Sequence, residues 1–231
     1  MKFNYDFHIH SALSPCADND MTPINIVAAA SAVGLEMIAV ADHNAIANVK
    51  AAIEVGKMLD VTVVPAMELQ TAEDIHILCL FPTYEKLEAF YESLEFPAIE
   101  NRSEIFGQQL IYDLDNEVCG YEPRMLLASA TVSEYEVGEL AERFDGIAVP
   151  AHIDRASNGI LAILGSLPEG YTAVELSYRC PPDAGAQFLK DYNVISDSDA
   201  HCLADLGKRR FLIDLPERSA EALIEYLRHK R

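Results

Sequence analysis

Asp6-Phe7-His8-Ile9-His10 is the stretch on which the reading of this chain turns. It closes an apolar run, residues 3–8, that has the character of a first β-strand. Residues two apart on a strand project to the same side, so His8 and His10 face together. The same theme recurs down the chain, in Ala41-Asp42-His43-Asn44, Ala66-Met67-Glu68, Asp74-Ile75-His76, Pro150-Ala151-His152 and Ser198-Asp199-Ala200-His201. Each cluster ends, or lies within, a short strand-like run. Of the seven histidines only His229, in the basic C-terminal tail, stands apart. Neutral imidazole and carboxylate in combination suit Zn²⁺, Mn²⁺ or Fe, so the clusters point to a multi-metal hydrolytic site.

Between the clusters, strand-like and helix-like segments alternate. Thr22-Pro23 reads as an N-cap with proline at the first helical position, opening a helix through Val33 that Gly34 ends. Residues 37–41 and 61–67 read as buried strands around a helix at 45–59, and residues 75–81 as a further strand. From residue 146 the rhythm returns, with strands at 146–151, 172–176, 193–196 and 211–215, helices at 157–165 and 182–190, and a closing helix at 219–229. Such alternation implies an α/β fold with a parallel sheet. Ligand clusters at successive strand ends imply a closed barrel with its site at the C-terminal face. Asp199 and His201 are expected to face together as His8 and His10 do.

Residues 82–145 break this rhythm. An amphipathic helix carries Leu87, Phe90, Tyr91 and Leu94 on one side; a hairpin turn falls at Asp115-Asn116; and Ser133 with Glu136 forms a capping box before a further helix. The segment reads as an insertion between two barrel strands, close to the mouth of the site, within one domain spanning residues 1–231.

The formal charge is −20, which disfavours coating long nucleic acid. No arginine precedes residue 102, so a guanidinium that clamps an anionic substrate comes from the second half. Arg155, shortly after His152, and Arg179, just past a strand, are the candidates; the alternative is that they pair with surface carboxylates. Lys208, Arg209 and Arg210 read as a solvated cluster. Five widely spaced cysteines with no C-x-x-C pair argue for free thiols in a reducing compartment. No stretch has signal-peptide or transmembrane character, so a cytoplasmic location and no membrane partner are expected. Cys16 and Cys202 read as bystanders, Cys79 and Cys180 as core, and Asp42 as orienting His43 or its loop rather than binding metal.

The order H-x-H, D-H, E, H, H, D-x-H resembles the polymerase-and-histidinol-phosphatase (PHP) superfamily of metal-dependent phosphoesterases, over nearly the whole chain. Asp18-Asn19-Asp20-Met21-Thr22-Pro23 is similar to the Asp-Gly-x-Leu-Thr-Pro stretch of its stand-alone members. The resemblance implies a distorted (β/α)7 TIM-like barrel with two or three divalent metal ions. His8, His10, Glu68 and Asp199 would hold the first. Glu68 would bridge to a second, completed by His76 and His152. Asp18, His43 and His201 would hold a third, with Asp20 able to replace Asp18 because the loop after His10 is longer than in many relatives. Glu68, Asp199 and His201 are the residues expected to carry catalysis.

Phosphoester hydrolysis needs a strong nucleophile at neutral pH and a sink for phosphoryl charge, and paired metals supply both. The expected activity is hydrolysis of a phosphomonoester on a small phosphorylated molecule or nucleotide. Trimming of short RNA or DNA from an end, histidinol-phosphate hydrolysis and non-catalytic metal or nucleotide sensing are the alternatives. C–N bond hydrolysis ranks below them because it usually needs another motif order.

Overall fold

The short apolar runs form strands because they are buried on both faces. In the computed structural model, which describes residues 1–208 and 211–229, β1 (Lys2–Ile9), β2 (Met37–Val40) and β3 (Thr62–Gln70) pair in parallel. On β2, Met37 and Ala39 enter one core while Ile38 and Val40 enter another, as a sheet covered on both sides requires. The covering helices are α1 (Pro23–Ala32) and α2 (Val49–Leu59). Thr22 caps α1 by accepting from the Asn25 N–H at 3.2 Å, with proline in the first turn. α2 starts later than its helix-forming sequence suggests. Asn44 takes a left-handed φ of 47°, and Asn48 spends its amide on Ser11 Oγ and the Leu110 carbonyl.

β4 (His76–Leu80) runs antiparallel to β3, with Gln70 opposite His76. This departs from the expected parallel sheet, and the cause is chain length. Residues 71–75 are too few for a crossover helix. They close instead as a turn, with Thr71 N–H bonded to the Ile75 carbonyl at 2.9 Å and Asp74 at a φ of 64°. The reversal brings the first residue of β4, His76, level with the end of β3 that carries Glu68.

The chain then passes through α3 (Tyr84–Glu92), α4 (Ser103–Phe106), the hairpin of β5 (Leu110–Tyr112) and β6 (Val118–Tyr121), and α5 (Glu134–Glu142). Asn116 sits at a φ of 65° in the hairpin turn, and the Ser133–Glu136 capping box forms. β7 (Ile147–Pro150) rejoins the sheet beside β4, again antiparallel. After α6 (Ile160–Leu164) come β8 (Ala173–Ser177), α7 (Pro182–Gly185) and β9 (Asn193–Asp197), with β8 and β9 a parallel pair. β10 (Phe211–Asp214) lies antiparallel on the outer edge of β1, and α8 (Ala220–Arg228) closes the described chain.

The result is a mixed α/β fold with a curled six-strand sheet, ordered β10-β1-β2-β3-β4-β7. Backbone bonds tie the β8–β9 side to both flanks: His10 N–H reaches the Ala200 carbonyl at 2.9 Å, and Ile153 N–H the Glu175 carbonyl at 3.0 Å. Leu223, Ile224 and Leu227 of α8 join the core inside the curl. Of the basic cluster, Lys208 pairs with Asp205, while Arg209 and Arg210 lie outside the described residues. Among the described residues no helix is long and apolar enough to cross a membrane.

Candidate metal centre

Glu68, near the end of β3, is the hub. Its Oε1 lies 2.8 Å from His76 Nδ1, 3.1 Å from His152 Nε2 and 3.2 Å from His8 Nε2. Its Oε2 lies 2.7 Å from His43 Nδ1 and 3.4 Å from His10 Nε2. Asp199 forms a second carboxylate pole, 3.0 Å from His10 Nε2 and 3.6 Å from both His8 Nε2 and His201 Nδ1. All of these side chains are buried except His76 and His201, which are partly exposed.

The rings are aimed by their outward nitrogens. Ser14 Oγ has one proton, and it goes to Asp42 Oδ1 at 2.7 Å because a carboxylate only accepts. His10 Nδ1, 3.0 Å from the same oxygen, must therefore donate to it. That leaves the lone pair on Nε2, inside the cluster. By the same logic His8 Nδ1 donates to Glu175 Oε2 at 2.9 Å, and His201 Nδ1 to the Asp199 carbonyl at 2.9 Å. Asp42 is a scaffold, as its sequence context suggested. It also accepts from Ser11 N–H at 2.7 Å and Ser11 Oγ at 2.6 Å.

Several buried atoms in the cluster find no hydrogen-bond partner, namely His8 Nε2, His10 Nε2, His43 Nδ1, His76 Nδ1, Glu68 Oε2 and Asp199 Oδ1. Buried polar atoms are rarely left so. Lone pairs converging without donors are what cations satisfy. Three overlapping groups bring their ligand atoms within 4.8 Å of one another: His8–His10–Glu68, His43–Glu68–His76 and His10–His43–His201. The residues present therefore fit divalent metals, and clusters of imidazole and carboxylate that could hold them are a property of this fold.

The electrostatics follow from charge packed out of water. Burial pushes Glu68 up, but His76, His8 and His43 outweigh it and hold its carboxyl well below the usual range. Burial works against protonated His43, yet Glu68 outweighs it and pushes the imidazole up to about 10. His10 is driven down, by burial first and then by His201 and His43.

Some candidates are placed otherwise than expected. Asp199 and His201 do not share an extended strand: β9 stops at Asp197, and Asp199 has a φ of 51°. His152, at a φ of 31°, is another non-glycine residue in the left-handed region, a costly conformation that recurs at functional sites. Asp18 is exposed, and its bond to the site is made by its backbone N–H to the His201 carbonyl at 2.9 Å. Asp20 is exposed as well. Arg155 pairs with Asp199 Oδ2 at the centre. Arg179 is exposed, its Nε on Tyr178 OH at 2.8 Å and its guanidinium over the Tyr178 ring. The acidic run is not gathered at the mouth: Glu85 lines a cleft with Thr62 and Arg218, at the opposite end of β3 from Glu68. The residues that border the centre are later ones. Arg124 donates to the Asn44 carbonyl at 2.7 Å, and Asn44 Nδ2 to the carbonyls of Leu126 and Ala128.

Three contributors escape a reading of the motifs. Glu175 is a charged residue inside the fully buried strand Ala173-Val174-Glu175-Leu176-Ser177, and that lone charge in an apolar run was its signal. Ser14 has no signal of its own, being a loop hydroxyl. Cys16, read as a bystander, hydrogen-bonds through its thiol with His201 and His43.

Comparison with known proteins agrees with this geometry. No curated protein matches the chain in sequence. The lesion-specific endonuclease Q of Pyrococcus furiosus superposes with a TM-score of 0.69 at 17% identity, covering 99% of this chain but 56% of that one. A candidate metal-dependent phosphoesterase from Bifidobacterium adolescentis gives a TM-score of 0.58 at 18% identity, covering 96% and 94%. An amidohydrolase from Chromobacterium violaceum, with bound sulfate, gives 0.61 at 18% identity, covering 96% of each. The chain thus spans little more than half of the endonuclease, and at these identities the likeness is one of fold. Residues 6–215, which carry every proposed ligand, match the PHP domain, and the chain belongs to the PHP domain family.

Proposed function

We propose that this protein is a metal-dependent phosphoesterase that hydrolyses a phosphomonoester on a small molecule or nucleotide. The observation that carries the reading is Glu68, buried and reached by five histidines through both of its oxygens. In this reading His8, His10, Glu68 and Asp199 hold one metal, and Glu68 shares a second with His76 and His152. His43 and His201 face a third, for which the sequence nominates Asp18. Residues 1–231 act as one domain whose β8–β9 pair completes a distorted barrel, with residues 82–145 inserted between neighbouring strands.

Bound divalent metals supply a nucleophile at neutral pH and a sink for phosphoryl charge. The chain's own residues do the rest. Glu175 and Ser14 fix the rings of His8 and His10, so their lone pairs stay directed inward. The Arg155 guanidinium, partly exposed and already against Asp199, is positioned to take a phosphate oxygen when Asp199 turns to a cation. His201, the most accessible imidazole of the set at 31% side-chain exposure, faces the side from which a substrate enters.

A nuclease acting on short RNA or DNA is the second reading, favoured by the endonuclease fold likeness. The net charge of −20 weighs against long polymers. The test is a screen of phosphorylated metabolites, nucleoside bisphosphates and an oligonucleotide length series with Mn²⁺, Zn²⁺ or Fe²⁺ added. Turnover of a small phosphomonoester that falls as oligonucleotides lengthen supports the first reading. Efficiency that rises with length supports the second.

A further inference from the structure

We propose that Cys16 supplies a thiolate ligand to the metal position formed by His43 and His201, in the role that the sequence gives to Asp18. The inference rests on the metal-centre reading and concerns which side chain completes it.

The Cys16 thiol hydrogen-bonds with both His43 and His201. Those imidazoles, with His10, hold ligand atoms within 4.8 Å of one another, and the buried His10 Nε2 among them has no hydrogen-bond partner. The ring centroids of His10 lie 4.5 Å from His43 and 4.3 Å from His201. Three nitrogens and a sulfur therefore converge on one volume. Asp18 is close in sequence but exposed.

The loop is built to deliver the sulfur. Ser14 N–H bonds the Ser11 carbonyl, and Ala17 N–H the Ser14 carbonyl, both at 3.0 Å, so two successive turns bracket Cys16. Ser14 is anchored to Asp42 on one side and Asp18 N–H to the His201 carbonyl on the other. The β5 side clamps the loop from outside. Leu110 N–H reaches the Ala12 carbonyl at 2.8 Å, and Gly107 comes so close to Pro15 that a Cβ there would lie 2.1 Å from its carbonyl oxygen.

On binding, the thiol proton goes to solvent as the sulfur–metal bond forms, with no change of oxidation state. Thiolate with imidazole selects Zn²⁺ or Fe²⁺ over Mn²⁺ or Mg²⁺, which carboxylate would favour. The cation chemistry of this position is thus set by one loop residue.

The test uses the full chain, stripped of metal and reloaded with Co²⁺. The wild type should show a near-ultraviolet thiolate-to-cobalt charge-transfer band. Cys16→Ser should lose that band and about one bound ion per chain, while Cys202→Ser and Asp18→Ala keep both. Cys16→Asp should keep the ion, lose the band and gain relative affinity for Mn²⁺. It also serves if the serine variant fails to fold. Cobalt bound without the band, or a band that survives in Cys16→Ser or Cys16→Asp, overturns the proposal and leaves the metal-centre reading standing. A wild type that binds no cobalt overturns both.

Discussion

Glu175 Oε2 lies 2.9 Å from His8 Nδ1, and both side chains are sealed from solvent. A carboxylate in that position fixes the proton on Nδ1 and turns the Nε2 lone pair toward Glu68 and Asp199. Burial alone would lower the affinity of His8 for a second proton. Glu175, Glu68 and Asp199 together outweigh burial and raise it well above the ordinary value. Without a cation the protein thus holds a proton where a metal would serve.

Glu175 should therefore matter to metal binding without touching metal. Glu175→Ala is expected to weaken metal affinity by about 10–100-fold, the usual effect of removing a partner behind a ligating histidine. Glu175→Gln, which still accepts from Nδ1, should lose less. Chelator competition on both variants measures this. Affinity equal to wild type in the alanine variant would mean that His8 needs no orienting partner.

Arg155 and Arg179 looked alike as sequence candidates, and the structure separates them. Arg155 contacts Asp199 at the centre, whereas Arg179 stacks on its neighbour Tyr178 in solvent. Arg155→Ala should lower kcat/KM by an equivalent of about 2–3 kcal/mol, as for a lost charge-assisted contact. Arg179→Ala should lower it by less than a tenth of that factor. Steady-state kinetics on the substrate found by the phosphoester screen decides. An equal effect of the two substitutions would place the phosphate elsewhere.

Gly107 joins the inserted segment to the loop after His10. Its φ is 101°, and a Cβ would meet the Pro15 carbonyl oxygen at 2.1 Å. Gly107→Ala should cost about 1–3 kcal/mol of stability through backbone strain alone, and it should displace the loop carrying Cys16. Thermal unfolding, read with and without Zn²⁺, tests this. The added metal should raise the variant's Tm less than it raises that of wild type. An unchanged Tm would show that the loop yields without cost.

The sequence carried much of the site because its ligands sit at strand ends, where local pattern and chemistry coincide. His8, His10, His43, Glu68, His76 and His152 were all legible that way. β4 was legible as a strand but not in direction, although the short link at 71–75 already excluded a crossover. Glu175 announced itself only as a charge within an apolar run. Ser14 and Cys16 lie in an irregular loop whose path depends on Asp42 and on the distant Gly107, and no local pattern encodes such contacts. Asp18 had the opposite history, since its motif suggested a ligand that the loop path leaves exposed.

The account stands or falls on whether Glu68 gathers metal ions. The most direct measurement is elemental analysis of the purified wild-type protein beside Glu68→Gln, both re-equilibrated with Zn²⁺ and Mn²⁺ and freed of loosely bound ions. The account predicts two or more tightly held ions per chain in the wild type, and a loss of at least one in the variant, because a neutral amide bridges two cations poorly. A wild type that retains no metal, or a variant that retains as much as wild type, would contradict it.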